Sequence, residues 1–438
     1  MRVPRLQSPR ALKLMNLLSV VTMNTPRIRP VVSCTLLVMT LVAGATACGG
    51  PHGHPLAEQP YDAADEITSN APEGNKKADP DKPLEVTASG DDGRITDVAA
   101  VDTAGRHLAG ELSADGLRWH STVPLAAGTR YTVRVSVEDD DGAPGSRTLS
   151  FETAPAKKLL NVTFGPHAGT YGVGQPITAE LSAPVKGKAA RATVERALKV
   201  RSTPSVTGSW YWVDDKILHY RPQTYWPARA TIEVSSNMAG IRVTKGLYGA
   251  PAKALKITTG DRIEAITDAA AHSMTVKRNG EVINTIPVTT GRPGFDTRNG
   301  VKVVLSKEYS VRMRGETIGI SENSSDGYDL MVYYATRVTW SGEYVHAAPW
   351  STGSQGYANV SHGCTGMSNA QAQWFFNTVR EGDLVSVVGS QGATMTPFDN
   401  GYGDWNLSWA KWQQGSALQN NATPDGSTVE AARLRPEV

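Results

Sequence analysis

The sequence predicts a mainly-β chain: two small β-sandwich modules in tandem, then a β-rich domain with one or two short helices, closed by a tryptophan-rich extension. Three observations carry this. Runs with apolar residues at alternate positions recur at roughly ten-residue spacing, as in "RYTVRVSVED" and "SRTLSFET". Polar turn clusters such as "SGDDG", "LAAGT" and "DDDGAPG" separate them. One stretch, "SNAQAQWFFNTVREG", reads as a helix, with Ser368 as N-cap and Gly382 ending it. At 438 residues and 40% hydrophobic content, the chain can fill two to four cores.

Residues 1–48 carry six Lys and Arg residues and no acid, followed by the apolar run "VVSCTLLVMTLVAGATAC". A basic segment, a short apolar core and small residues before Cys48 read as an export signal. "AGATAC" ahead of "GG" is compatible with a lipoprotein signal in which Cys48 carries lipid. Without these residues Lys plus Arg falls from 44 to 44 − 6 = 38 against 42 acids, so the remainder is near −4 rather than +2. No basic stripe with interleaved aromatics appears, which argues against a nucleic-acid partner.

Residues 49–82 are rich in Gly, Pro and charge and read as a disordered linker. His52 and His54 there are expected to be solvated rather than metal-bound. The first sandwich module is expected over 83–156 and the second over 157–259. Its knot of Trp210, Tyr211, Trp212, Tyr220, Tyr225 and Trp226 suits a sandwich core and rim better than a carbohydrate platform. In the second module "ATVERALKV" is taken as another strand. The β-rich domain spans 260–390 and opens on two hairpin-linked strands with Asn279–Gly280 as a type I′ turn. "DLVSVVG" reads as a buried strand. Residues 391–415 hold Trp405, Trp409 and Trp412 at helical spacing and should dock on a domain, and 416–438 read as disordered.

Of three cysteines, Cys34 and Cys48 lie in the leader, leaving Cys364 in "SHGCTGM". A single unpaired thiol in an exported chain is either a reactive group or an inert small hydrophobe. His346, eighteen residues upstream in "YVHAAPW", ends an apolar run, and the loop "STGSQGYANV" is long enough to bring the two side chains together. A nearby imidazole takes the thiol proton, and Gly363 leaves room for a carbonyl beside the sulfur while amides at 363–364 face the developing oxyanion. His362 suits an orienting hydrogen bond better than a second base. No metal site is expected, since zinc takes three or four ligands and these residues lack close-spaced partners.

"YVHAAPW…SHGCTGMS" resembles the signature of the L,D-transpeptidases, the cysteine enzymes that cross-link peptidoglycan. The resemblance covers about residues 84–415, including two immunoglobulin-like modules, "WYWVDDKILHYRPQTYWPA" and the closing "GDWNLSW". It implies Cys364 as nucleophile and His346 as general base, with Ser361, His362 and Gly363 shaping the active loop and oxyanion site. Residues 310–329 match the family's lid. Met313 and Tyr328 within it, with Trp350, would line the donor pocket. Ala347 stands where relatives have Ser, and Gly366 where they usually have Asn. The implied substrates are tetrapeptide stems as donor and acceptor, with no cofactor and with capture by carbapenems. Two other readings stay open: an L,D-carboxypeptidase using water as acceptor, and a non-catalytic wall-binding protein.

Overall fold

The structure is a computed structural model and describes residues 59–419 except 73, 75 and 90–92. The export signal, Cys48, His52, His54 and residues 420–438 lie outside the described residues.

The first sandwich pairs two four-stranded sheets. One runs Tyr61–Asp62, Pro144–Glu152, Arg130–Asp139, Gly93–Asp102 and the other Ile67–Ser69, Glu85–Ala88, Arg118–Ser121, Gly110–Leu112. Arg130–Asp139 shows why the chain folds this way: Tyr131, Val133, Val135 and Val137 point into the core and the residues between them point out. The expected linker over 49–82 is corrected here. Residues from Tyr61 onward supply two strands of this module, and Ala63 and Ile67 are fully buried. A few spaced apolar residues complete the sheets although the surrounding composition is that of a linker.

The second sandwich stacks Val162–Gly165, Ile177–Leu181, Ile217–Pro222, Gly208–Trp212 against Thr170–Tyr171, Leu255–Thr259, Thr231–Ser236, Leu198–Thr203. Trp210, Trp212 and Trp226 are buried in its core. "ATVERALKV" is not a single strand: a helix spans Lys188–Ala197, and only the residues from Leu198 are extended. Ala190, Val194 and Ala197 fall on one buried face at helical spacing, a period that alternation alone hides.

The third region packs a five-stranded sheet, ordered Glu281–Pro287, Ser273–Arg278, Ile263–Asp268, Leu384–Val388, Gly300–Val303, with a four-stranded one, ordered Ser306–Arg314, Asp329–Arg337, Tyr344–Ala347, Thr365–Met367. Three strands stand where the sequence reading placed two, because Ile263–Asp268 turns back before the Asn279–Gly280 hairpin. Both turn residues have positive φ, 52° and 95°, as a type I′ turn requires. The helix Asn369–Thr378 starts where Ser368 Oγ accepts from Gln371 N–H at 3.3 Å, and it ends earlier than Gly382. Phe375 and Ala372 seat it in the core with Met274, Val345 and Met367.

The tryptophan-rich segment docks on the second sandwich. Trp405 Nε1 donates to Gly174 O at 2.8 Å, and Trp412, fully buried, donates to Ser209 O at 3.0 Å. The Arg221 guanidinium lies 4.8 Å and 4.6 Å from these two rings. Residues 416–417 continue the docking, with Ser416 Oγ and Ala417 N–H both donating to buried Glu195.

Candidate active site

His346 sits in the strand Tyr344–Ala347, which runs parallel to Thr365–Met367 with His346 opposite Gly366. Cys364 lies in the bend immediately before Thr365–Met367, one residue outside that pairing. Both side chains line one cavity of about 290 Å³.

The imidazole is buried, and its Nδ1 donates to Ala347 O at 2.8 Å. That bond fixes the tautomer and leaves Nε2 as the acceptor. Burial lowers the His346 pKa, partly opposed by the Ala347 contact. Cys364 is partly buried and its Sγ donates to Gly342 O at 3.6 Å. Burial pushes the thiol up to about 11, with the backbone of Tyr344 acting in the opposite sense. Both shifts favour the neutral forms.

The segment 310–329 forms the end of the hairpin between Ser306–Arg314 and Asp329–Arg337, closed by a 3-10 turn over Gly315–Ile318. Met313 and Tyr328 line the cavity from it, and Trp350 lines the other side with its ring 6.1 Å from His346. Ser361, His362 and Gly366 also line the cavity, whereas Ala347 and Gly363 lie outside its lining.

Gly363 takes a φ of +116°, which favours glycine. Its N–H, expected to face an oxyanion, is instead donated to Ser361 Oγ at 3.1 Å. Ser361 Oγ in turn donates to Cys364 O at 2.6 Å, so the serine braces the loop by satisfying its own neighbours. Gly366 has no room for a side chain: a Cβ would lie 2.9 Å from Ala348 Cβ and 3.1 Å from Thr289 Cγ2.

His362 is an oriented group. Its Nε2 accepts from Arg292 Nη2 at 3.1 Å, and its ring packs 4.9 Å from Tyr328 and 4.8 Å from Phe295. Burial lowers its pKa, and the Arg292 cation adds to that. The same Arg292 nitrogen bonds Asp326 on the hairpin tip. Thr297 Oγ1 donates to Gly363 O at 2.8 Å. None of Arg292, Phe295, Thr297 and Asp326 was singled out from the sequence. Only "TTGRPG", a glycine-flanked arginine, is a local signal for any of them. Among the described residues no group of three or more His, Cys, Asp or Glu is placed to hold a metal ion.

A thiol and an imidazole whose Nε2 has no hydrogen-bond partner among the described residues, opening together into a mostly apolar cavity under a hairpin, can carry acyl transfer. Residues 262–387 match the L,D-transpeptidase catalytic domain, and 75–242 match a bacterial Ig domain. Over 393 residues the chain is 35% identical to L,D-transpeptidase 2 of Mycobacterium tuberculosis, covering 87% of this chain and 95% of that protein. It is 30% identical to L,D-transpeptidase 5 of the same organism, covering 94% and 92%. A solved L,D-transpeptidase in complex with imipenem is 38% identical, spans 52% of this chain and all of its own, and has a TM-score of 0.46. The chain belongs to the L,D-transpeptidase family.

Proposed function

We propose that the chain is a cysteine L,D-transpeptidase that forms 3→3 cross-links between tetrapeptide stems of peptidoglycan. The observation that carries this reading is the cavity shared by Cys364 and His346, with Nε2 of the imidazole free to take a proton. Sγ attacks the carbonyl carbon of the stem's third residue as its proton passes to Nε2. The bond to terminal D-alanine breaks, the imidazolium returns its proton to the leaving amine, and a thioester remains. A side-chain amine of an acceptor stem then attacks the thioester carbonyl and gives a proton to Nε2. The sulfur leaves and regains that proton. As burial favours the neutral form of both groups, proton transfer would accompany attack rather than precede it.

Met313, Tyr328 and Trp350 would hold the donor stem, and the braced 361–364 loop would present the sulfur. The oxyanion needs a donor other than the Gly363 amide, which Ser361 already occupies. The chain would be exported and held at the outer face of the membrane by lipid on Cys48, with the two sandwiches as spacers. The cavity would also admit carbapenems, which the thiol would capture as thioesters.

The test is incubation with a tetrapeptide stem and analysis of products. A cross-linked dimer is expected. Tripeptide alone would make water the acceptor and the protein an L,D-carboxypeptidase. Neither product would leave a wall-binding role.

A further inference from the structure

Two charged side chains beside Cys364 take no part in the reaction just described. Lys302 is 1% exposed and Glu343 6% exposed. Lys302 Nζ lies 2.5 Å from Glu343 Oε2, while Arg298 reaches Oε1 from Nη1 at 2.9 Å and from its backbone N–H at 3.2 Å. A buried ion pair is weak evidence for stability, because apolar residues of similar volume often serve as well. Its use here lies in where it is attached.

Lys302 belongs to the edge strand Gly300–Val303 of the five-stranded sheet. Glu343 immediately precedes Tyr344–Ala347 of the other sheet, so the pair ties the two sheets together. The Glu343 main chain closes the turn before that strand: its N–H donates to Thr339 Oγ1 at 2.8 Å and its carbonyl accepts from Val338 N–H at 3.0 Å. Gly342, within the turn, has φ +100°, and its carbonyl is the one that accepts from Cys364 Sγ. His346 lies three residues after Glu343, within the strand Tyr344–Ala347.

We propose that Glu343, clamped by Lys302 and Arg298, is the positioning residue that sets Cys364 and His346 in register with each other. One side of the clamped residue holds the carbonyl that parks the thiol, and the other begins the strand that carries the base. The charges of Glu343 and Lys302 also reach the thiol and act on it in opposite senses. The inference rests on Cys364 being the nucleophile.

The experiment compares wild type, the double variant Lys302→Met/Glu343→Gln, Lys302→Arg and Glu343→Asp. Removing Glu343 alone would leave a buried ammonium without its counter-charge, so the pair is neutralised together. Active sites are counted by intact mass after exhaustive imipenem labelling. Then kcat and KM for a tetrapeptide stem are measured per labelled site, with melting temperature alongside. The double variant is expected to melt close to wild type, with kcat per site lower by about tenfold or more and KM little changed. Lys302→Arg should retain most of kcat, and Glu343→Asp, which keeps the charge on a shorter arm, should lose it. Wild-type kcat per site in Glu343→Asp or in the double variant would overturn the proposal. So would a loss seen only as fewer labelled sites. A wild-type chain that takes no imipenem on Cys364 would instead overturn the nucleophile assignment beneath it.

Discussion

The Nδ1 of His346 donates to the carbonyl oxygen of Ala347, its own neighbour, at 2.8 Å. The group that orients the imidazole is thus part of the backbone rather than a side-chain hydroxyl at 347. Ala347→Ser should leave kcat within about threefold of wild type, whereas His346→Gln, which removes the proposed base, should lower it by about 10²–10⁴-fold. Steady-state kinetics on a tetrapeptide stem check both. A large gain from Ala347→Ser would show that the carbonyl alone is an inadequate partner.

Gly366 is hydrogen-bonded on both sides to Thr289, with N–H to O at 2.8 Å and O from N–H at 3.0 Å. With Ala348 and Thr289 so close to where a Cβ would stand, Gly366→Ala should destabilise by about 1–3 kcal/mol through overpacking. Gly366→Asn should do at least as much. Chemical denaturation measures this; an unchanged midpoint would mean that the neighbours yield freely.

Arg292 links the hairpin tip to the active loop by bonding both Asp326 and His362. Its cation adds to burial in keeping His362 below the ordinary histidine range. Arg292→Met should therefore raise the His362 titration midpoint, followed by NMR of the ring protons. Desolvation is the larger cause, so the midpoint should move only part of the way back. Asp326→Ala should loosen the tip and raise KM for the donor stem more than it lowers kcat.

Asp383 is fully buried, and among the described residues its Oδ1 has no hydrogen-bond partner. Burial pushes its pKa up to about 7, opposed by Arg380 and Lys307. A carboxyl whose pKa is raised on folding binds its proton more tightly in the native state. Its contribution is therefore complete below about pH 4, where the unfolded chain also holds the proton, and is lost as pH rises toward 7. The melting temperature of Asp383→Asn should exceed that of wild type at pH 8 by more than it does at pH 5. Equal differences at the two pH values would show that Asp383 is ionised throughout.

What could be read in the sequence was what local chemistry specifies. Ser368 caps its helix, Asn279–Gly280 turns its hairpin, and the alternation in 130–139 faces one side inward, each within a few residues. The Cys364 and His346 pair was legible because one loop separates two distinctive residue types. Arg292 with Asp326 and Lys302 with Glu343 were not, since their partners lie 34 and 41 residues away on other elements and no spacing rule joins them. The same limit hid the strands at Tyr61 and Ile67, whose few apolar residues acquire meaning only once Pro144–Glu152 and Glu85–Ala88 pair with them. The Gly363 amide was misassigned because the competing acceptor, Ser361 Oγ, depends on a loop conformation and not on residue type.

Whether the sulfur of Cys364 performs the chemistry is decided by intact mass spectrometry after incubation with imipenem. Wild type should gain the mass of a single adduct, and Cys364→Ala should gain none. An adduct that persists in Cys364→Ala, or a folded wild-type chain that never acquires one, would contradict it.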